Sequence, residues 1–389
     1  MIPTYNRREI VLRAIESVRR QTFGDFEIVV SDNYSADDTL EHLRALDEPR
    51  LTIVQPERHC PLPFNWEAGR KACSGRFVLA LSDDDALLPS ALQWFADMYE
   101  ATKSKFLISS LAEYRDASYP GEDRNTLSYP NCTGEIAGVD GHRFLSSVYS
   151  FKPYLNMHPS AFVFDRAVAN KIAETSGAFF KTNGVEYFGW PAMMAHVGSA
   201  HHIDLPLLLL GRTAKSWGVK TVLANPGTDE IQKLTDDAIQ ERVEAPLKNF
   251  AFSNLHAEGM WVARRDFPGL LGMYPKDLHG YVSIIISELE ERQVKGVDVS
   301  VELAEARAYL ATLSPNGRPQ RTAGDITRSV IRRAKSFVTT FPGEETFILA
   351  ATTVIGDDNE FADVNGAANY LDSILQSCSI TQATPGPRG

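Results

Sequence analysis

Hydrophobic and polar residues alternate with two different periods through the first half of the chain. Residues 7–22 place Ile10, Ala14 and Val18 on one helical face, with arginines on the others. Short apolar, β-branched runs typical of strands occur at 26–32, 50–55, 75–85 and 105–114. Helical patterns lie between them, at 35–46, 64–73 and 89–102. This order predicts an α/β domain with a mostly parallel sheet and helices on both faces.

The pattern changes after about residue 220. Helical periodicity dominates at 235–267, 283–294 and 302–313, and residues 314–324 have the composition of a linker. The last residues, 379–389, have the composition of a disordered tail. We therefore expect an α/β domain over 1–220 and a mainly α-helical region over 221–389.

Composition excludes several classes of function. The net charge of −11 argues against nucleic acid as a partner, because phosphate binding requires a basic surface. The four cysteines, Cys60, Cys73, Cys132 and Cys378, are scattered, which suits a reducing compartment. No apolar run is long enough for a membrane span, and the N-terminus lacks a signal-peptide pattern. These features indicate a cytoplasmic protein.

The chain opens with MIPTYNRRE, which leaves room for a first strand of very few residues. A central strand of this length would leave backbone groups of its neighbours unpaired. We therefore expect either a truncated first strand or a true start upstream of Met1.

Acidic residues follow two of the predicted strands. Asp32 ends the strand at 26–32, and Asp83, Asp84 and Asp85 end the strand at 75–85. Ligands of open α/β sheets bind outside the carboxyl ends of the strands. Hard cations such as Mg²⁺ and Mn²⁺ prefer carboxylate oxygens, so this edge is the expected ligand and metal site.

Four segments appear in order and carry a family resemblance. They are IPTYNR (2–7), SVRRQTFGDFEIVVSDNYSADDT (17–39), FNWEAGRKACSGRFVLALSDDDALLP (64–89) and VEYFGWPAMMAHVGSAHHIDLPLLLLGR (185–212). Together they resemble family 2 glycosyltransferases, which are inverting, nucleotide-sugar-dependent enzymes of the GT-A fold. The resemblance covers roughly residues 1–215.

The resemblance assigns the acidic turn to a divalent cation, Mg²⁺ or Mn²⁺. It implies that Asp84 is the metal ligand and that Asp83 contacts the ribose or shares the metal shell. Asp85 either supports the cation or holds the turn. Ser82 stands where many relatives have an acid, so the division of roles stays open. The alternative is a solvated acidic turn that caps the helix after Pro89.

The resemblance also implies a nucleotide site. Pro3, Thr4 and Tyr5 correspond to the base-binding turn. Asp32, with help from Asn33, would accept a hydrogen bond from the imide N–H of uracil or thymine. Guanine also offers an N–H, so UDP-, dTDP- and GDP-linked donors all stay open.

Two residues of the 64–73 helix belong to the expected donor site. The resemblance places Asn65 towards the donor and Arg70 near the phosphates. The alternative for Arg70 is an exposed helical arginine. After the predicted strand at 203–210, Arg212, Lys215 or Ser216 would reach the pyrophosphate.

Inverting transfer requires a general base, and the resemblance implies that this base is Glu186. Glu186 is the one acid in the segment VEYFGWPAMMAHVG, which occupies the position of the family's second acidic motif. The alternative is an acid near a helix N-terminus, stabilised by the helix dipole.

These expectations together describe an inverting glycosyltransferase that moves a sugar from a nucleotide-diphosphate donor to a hydroxyl of a glycan or lipid-linked glycan. Two other functions stay open. A nucleotidyltransferase would use a similar sheet, but its glycine-rich loop is missing from the opening residues. A catalytically degenerate binding module would act through the helical region.

The helical region allows further partners. Residues 326–338 read as a basic amphipathic helix, a pattern typical of peripheral contact with a membrane, here its inner face. The alternative is a helix packed on its own domain. Acceptor recognition, formation of a homo-oligomer and recruitment of another enzyme are the open roles for this half of the chain.

Overall fold

A three-stranded parallel sheet begins the fold. The computed structural model describes residues 1–121, 123–153, 155–223, 244–248, 251–313, 351–355 and 363–377. The first sheet has the order β1-β2-β3, with all pairs parallel, and its strands are β1 (Ile2–Thr4), β2 (Ile28–Asp32) and β3 (Leu51–Val54). The helices that follow these strands are α1 (Arg8–Arg19), α2 (Thr39–Arg44) and α3 (Leu62–Ala72). Their apolar faces bury Val11 and Ile15 of α1 and Trp66 of α3.

Strand β1 continues the sheet towards β4 (Phe77–Leu79) through the backbone of Met1. The Met1 amino group donates to the Leu79 carbonyl at 2.7 Å, and the Leu81 N–H donates to the Met1 carbonyl at 3.0 Å. This is the bonding pattern of parallel neighbours. It brings the carboxyl end of β1 beside the acidic turn that follows β4.

A second, mixed sheet carries the rest of the α/β part. Its further strands are β5 (Ala86–Leu87), β6 (Phe106–Arg115), β7 (Thr126–Pro130), β8 (Ile136–Asp140), β9 (Phe162–Asp165), β10 (Ser199–Arg212) and β11 (Ala351–Ile355). Strands β6 and β10 are parallel, whereas β4 and β6 both pair antiparallel with β9. The helices between these strands are α4 (Ala91–Thr102), α5 (Gly141–Tyr149), α6 (Arg166–Ser176) and α7 (Val185–Val197).

The remaining described residues are mainly helical. They form α8 (Trp217–Leu223), α9 (Phe252–Asp266), α10 (Pro268–Leu271), α11 (Leu278–Val294), α12 (Ser300–Leu313) and α13 (Val364–Ser377). These helices share one hydrophobic core with the sheets, in which Trp190 of α7 and Trp261 of α9 are both fully buried. The prediction that this region is mainly helical is confirmed for its described residues, and the division at residue 220 stays a prediction.

Two glycines let α9 approach the start of α7 closely. A Cβ at Gly259 would lie 2.9 Å from the backbone of Tyr187 and Phe188. A Cβ at Gly184 would lie 2.8 Å from the Leu255 carbonyl oxygen. The contact therefore requires glycine on both sides and fixes where the first turn of α7 lies.

The α/β fold class predicted from the sequence is confirmed, and one helix boundary differs. The helix predicted at 35–46 begins only at Thr39, with Asp38 before it and no capping side chain. The Ser35 hydroxyl binds Asp32 and accepts from the Asn6 N–H instead, so it is not available to cap α2.

Among the described helices, none combines the length and the apolar character needed to cross a membrane. The predicted amphipathic helix at 326–338, the predicted linker at 314–324 and the predicted tail at 379–389 lie outside the described residues.

Candidate active site

The acidic turn after β4 holds Asp83 against the start of the chain. The Thr4 hydroxyl donates to Asp83 Oδ2 at 2.8 Å, and Arg7 Nη1 donates to Asp83 Oδ1 at 2.7 Å. Burial raises the pKa of Asp83, and the Arg7 charge opposes that shift. Asp83 thus ties the predicted base-binding turn to the predicted metal turn.

Asp85 is fully buried and fastens the turn to two other segments. Its Oδ2 accepts from the Ser160 hydroxyl at 2.5 Å, and its Oδ1 accepts from the Gly211 N–H at 3.0 Å. Burial and the neighbouring Asp84 raise the pKa of Asp85 well above its usual range. Of the two roles predicted for Asp85, this geometry favours holding the turn.

Glycine is required at the point where β10 meets the acidic turn. A Cβ at Gly211 would lie 1.8 Å from the Asp84 carbonyl oxygen, which no larger residue can tolerate. The close approach brings the loop after β10 against the turn. It leaves the Asp84 side chain lining a small cavity with Tyr114, Arg212 and Thr213.

Asp84 is the least engaged of the three acids. Its side chain is 13% exposed, and within the described part of the chain its nearest cation is Arg7, at 3.9 Å from Oδ2 to Nη1. No hydrogen-bond donor among the described residues occupies its carboxylate. A hard cation in a nucleotide site is often held by one or two carboxylates plus substrate phosphates, and Asp84 suits that arrangement.

Arg7 joins this edge to other segments, a contact that the sequence did not predict. Besides Asp83, its guanidinium donates through Nη2 to the Lys215 carbonyl, so it joins three loops. The Asp83 charge raises the pKa of Arg7 further. The available signal was its place in the segment IPTYNR, where a cation lies two residues after Tyr5 of the predicted base-binding turn.

The predicted base site lies at the carboxyl ends of the first three strands. Tyr5 is 40% exposed, and its ring centroid lies 4.3 Å from that of His59. Pro3 and Thr4 lie in β1, paired with Ser31 and Asp32 of β2. An exposed aromatic ring at this edge is available for a nucleotide base.

Asp32 and Asn33, at the end of β2, already have protein partners. Asp32 is fully buried and accepts from the Ser35 hydroxyl and, at 2.7 Å, from Gln55 Nε2. Asn33 Nδ2 donates to the Cys60 carbonyl at 2.8 Å, and its Oδ1 accepts from the Cys60 N–H at 3.0 Å. Gln55, missed by the sequence reasoning, therefore shares the edge on which Asp32 was expected to read the base.

Asn65 and Arg70 face the interior. The Asn65 amide exchanges hydrogen bonds with Ser31: its Oδ1 accepts from Ser31 Oγ at 2.8 Å, and its Nδ2 donates to the Ser31 carbonyl at 3.1 Å. The Arg70 side chain is only 2% exposed and makes a two-pronged pair with Glu67, at 2.6 and 2.9 Å. Arg70 Nη1 donates to Asn170 at 2.6 Å. Arg70 is therefore not the exposed helical arginine of the alternative prediction. In this arrangement its guanidinium is also not open to phosphate.

Glu186 lies in the first turn of α7, where the sequence predicted it. Burial raises its pKa to about 7, yet the residue keeps partial access to solvent. No described side chain forms an ion pair or hydrogen bond with its carboxylate. A carboxyl group with a pKa near neutrality is suited to accept a proton at physiological pH.

The structure therefore sorts the predicted residues other than Glu186 into two groups. One group lies together at the carboxyl edge of the sheets and consists of Pro3, Thr4, Tyr5, Asp32, Asn33, Asp83 and Asp84. The other is engaged in holding the fold and consists of Asn65, Arg70 and Asp85. Arg7 connects the edge to the loop after β10.

Comparison with known proteins supports the predicted family resemblance. The model of "Glycosyl transferase family 2" matches residues 1–172. The chain is 39% identical over 95 residues to the GalNAc(5)-diNAcBac-PP-undecaprenol beta-1,3-glucosyltransferase of Campylobacter jejuni, covering 24% of this chain and 31% of that protein. It is 24% identical over 122 residues to the UDP-Glc:alpha-D-GlcNAc-diphosphoundecaprenol beta-1,3-glucosyltransferase WfgD of Escherichia coli, covering 31% of this chain and 48% of that protein.

Each alignment spans less than half of the relative's own length. Among solved structures, S. aureus TarS 1-349 in complex with UDP-GlcNAc aligns with a TM-score of 0.45 at 15% identity, covering 89% of this chain and 95% of that one. The predicted family resemblance is confirmed: residues 1–172 match the model of glycosyl transferase family 2.

Proposed function

We propose that the protein is an inverting glycosyltransferase that moves a sugar from a nucleotide-diphosphate donor to a hydroxyl of a glycan or lipid-linked glycan. The observation that carries this proposal is the Asp83–Arg7–Thr4 junction, which joins the base-binding turn to the acidic turn within the family match. Two relatives are named for lipid-linked acceptors, and one of them for a UDP-Glc donor, which supports the same classes here.

The donor nucleotide lies, in this proposal, along the carboxyl ends of β1 to β3. The base packs on the exposed Tyr5 ring, and its polar edge meets Asp32 with Gln55. The diphosphate then extends towards Asp84 and Arg7, because the acidic turn is the next group at this edge. UDP-, dTDP- and GDP-linked sugars all fit these contacts.

Asp84 is the residue that we assign to a divalent cation, Mg²⁺ or Mn²⁺. When bound, such an ion supplies Lewis-acid neutralisation of the departing diphosphate. The chain contributes one open carboxylate and leaves the other positions to donor phosphates and water. Arg7 adds a fixed positive charge 3.9 Å from Asp84, which favours the same developing charge.

Glu186 is the residue that we assign as general base. The acceptor hydroxyl oxygen bonds to the anomeric carbon while the bond from that carbon to the diphosphate oxygen breaks. The electron pair leaves with the nucleoside diphosphate, and the hydroxyl proton passes to Glu186. Attack opposite the leaving group inverts the anomeric centre.

This function can be tested by incubating the protein with lipid-linked glycans extracted from membranes and with radiolabelled UDP-, dTDP- and GDP-hexoses. Label transferred to the lipid fraction by the wild type and lost with Glu186→Gln supports it. Absence of transfer with every donor would count against it and favour the binding-module alternative.

A lipid-linked acceptor also motivates the proposed contact with the inner face of a membrane. Residues 326–338, outside the described part, are the sequence candidate for this contact. Flotation with anionic liposomes tests the idea, with Arg332 and Arg333 changed to glutamate as the matched variant. Failure of the wild type to float would end it.

A further inference from the structure

Four aromatic side chains form a continuous strip that begins next to Glu186. The Tyr187 and His256 rings stack with their centroids 3.6 Å apart and their planes 19° apart. Phe252 follows, with its centroid 6.5 Å from that of His256, and Trp217 packs edge-on against Phe252 at 5.2 Å. We call Tyr187, His256, Phe252 and Trp217 the aromatic strip.

The aromatic strip is neutral and reaches the surface. All four residues are of intermediate exposure, so the strip lies at the edge of the packed interior. Burial lowers the pKa of His256 to about 3 and raises the pKa of Tyr187, so both stay uncharged at physiological pH. A ligand on this strip therefore meets ring faces and edges rather than charges.

The aromatic strip is held in place by the packing of α9. Glu288 accepts hydrogen bonds from the N–H groups of Phe252, at 2.6 Å, and Ser253, at 3.1 Å, and so fixes the start of α9. Gly259 allows α9 to touch the backbone of Tyr187. Preorganised rings lose little conformational freedom when a ligand binds.

The strip connects the two ends of the proposed reaction centre. Trp217 starts α8, two residues after Lys215, whose carbonyl accepts from Arg7. Arg7 in turn binds Asp83 of the acidic turn. At the other end, Tyr187 directly follows Glu186 in α7. The strip therefore runs from the donor loops to the proposed base.

We propose that the aromatic strip is the acceptor platform, on which pyranose rings of a glycan stack while one hydroxyl is presented to Glu186. The electron-rich face of an aromatic ring attracts the C–H groups that line one face of a pyranose. This proposal rests on the proposed transferase function and adds a role for the helical region, since α9 supplies two of the four rings.

Binding of the full-length protein to an array of bacterial surface oligosaccharides tests the proposal. We expect the wild type to bind a subset of these glycans, and Phe252→Ala and Trp217→Ala each to weaken that binding by about tenfold. Phe252→Tyr keeps a ring and should retain binding. Trp94→Ala, which removes a half-buried tryptophan from α4, is the matched control and should bind like the wild type.

Failure of the platform can be told from failure of the transferase. Titration of the same variants with nucleotide sugars should give the wild-type affinity. Such binding also shows that the variants fold. If Phe252→Ala does not fold, the glycan binding of Trp217→Ala tests the platform. Nucleotide binding without glycan binding, or equal glycan binding by wild type and ring variants, would overturn the platform. Glycan binding that depends on the strip, without any nucleotide binding, would support the acceptor platform and contradict the proposed transferase function.

Discussion

Arg7 donates to Asp83 across 76 residues of sequence, with 2.7 Å between Nη1 and Oδ1, and this pair joins the first and fourth strand ends. The Arg7 side chain is 20% exposed and that of Asp83 8%, so solvent screens the pair only weakly. Removing one member of a partly buried ion pair destabilises the fold, because the remaining charge loses its partner. The pair also lies between two turns of the proposed donor site, so we expect it to affect donor binding as well as stability.

Arg7→Ala should therefore lower both stability and donor binding. Removing one partner leaves Asp83 buried without its cation, which costs roughly 3 kcal/mol of unfolding free energy. Urea denaturation measures the loss. The double variant Arg7→Ala/Asp83→Asn is the control, because the uncompensated charge is gone and the costs should not add. Additive losses would show that the two side chains act independently.

Asp84 and Asp85, although adjacent, should differ in how much their substitution destabilises the fold. Asp85→Ala leaves the Gly211 N–H and the Ser160 hydroxyl without their acceptor, which costs about 1–3 kcal/mol for each group. Asp84→Ala removes a carboxylate without described donors and should leave the melting temperature nearly unchanged. Thermal unfolding of both variants checks this. A strongly destabilised Asp84→Ala would contradict the division of roles.

Glu186 should make transfer pH-dependent with a midpoint near 7. The carboxylate is the active form, so kcat/KM should fall about tenfold for each pH unit below its pKa of about 7. Glu186→Gln should lower kcat by at least about a hundredfold and leave donor affinity intact. A pH profile that is flat between 5 and 8 in the wild type would exclude Glu186 as the base.

The same raised pKa gives Glu186 a stability signature. The folded protein holds the proton more tightly than the unfolded chain, so stability is lost as pH rises from the unfolded pKa through about 7. Glu186→Gln should therefore melt higher than the wild type at pH 8 and equally at pH 4.5. Scanning calorimetry at the two pH values checks the sign.

Gly259 should be intolerant of a single methyl group. A Cβ there would lie 2.9 Å from the backbone of Tyr187 and Phe188, so α9 must shift away from α7, at a cost of about 1–3 kcal/mol. Gly269→Ala is the matched control, since a Cβ at that helical position meets nothing within 4 Å. Chemical denaturation of the two variants, side by side, separates the contact from helix propensity. Equal stabilities would show that the helices do not meet as described.

The sequence was sufficient for features whose signal is local. Strand and helix periodicity located the elements of the first half, and three aspartates after an apolar run marked the edge at which Asp83 and Asp84 lie. The family segments added Tyr5 and Glu186, whose roles stay predictions. The predictions of the elements and of the acidic turn depend on neighbours within a few residues, where pattern and spacing carry the information.

The sequence was insufficient where partners come from distant segments. The orientation of Arg70 depends on Asn170 and, through Glu67, on the Phe179 backbone, both about a hundred residues away. The Arg7–Asp83 pair and the aromatic strip likewise join distant segments, and the helix and strand periodicity of the sequence does not show that these segments meet. The antiparallel pairing of β9 with β4 and β6 has the same origin, because alternation of strands and helices does not specify strand order.

The most direct test of the central claim is calorimetric titration of UDP-, dTDP- and GDP-linked sugars into the full-length protein, with and without Mn²⁺, repeated on Asp84→Ala. The account predicts that one nucleotide class binds in the presence of Mn²⁺ and that this binding is lost in a variant that melts like the wild type. Absence of binding with every donor, or binding that neither Mn²⁺ nor Asp84 affects, would contradict it.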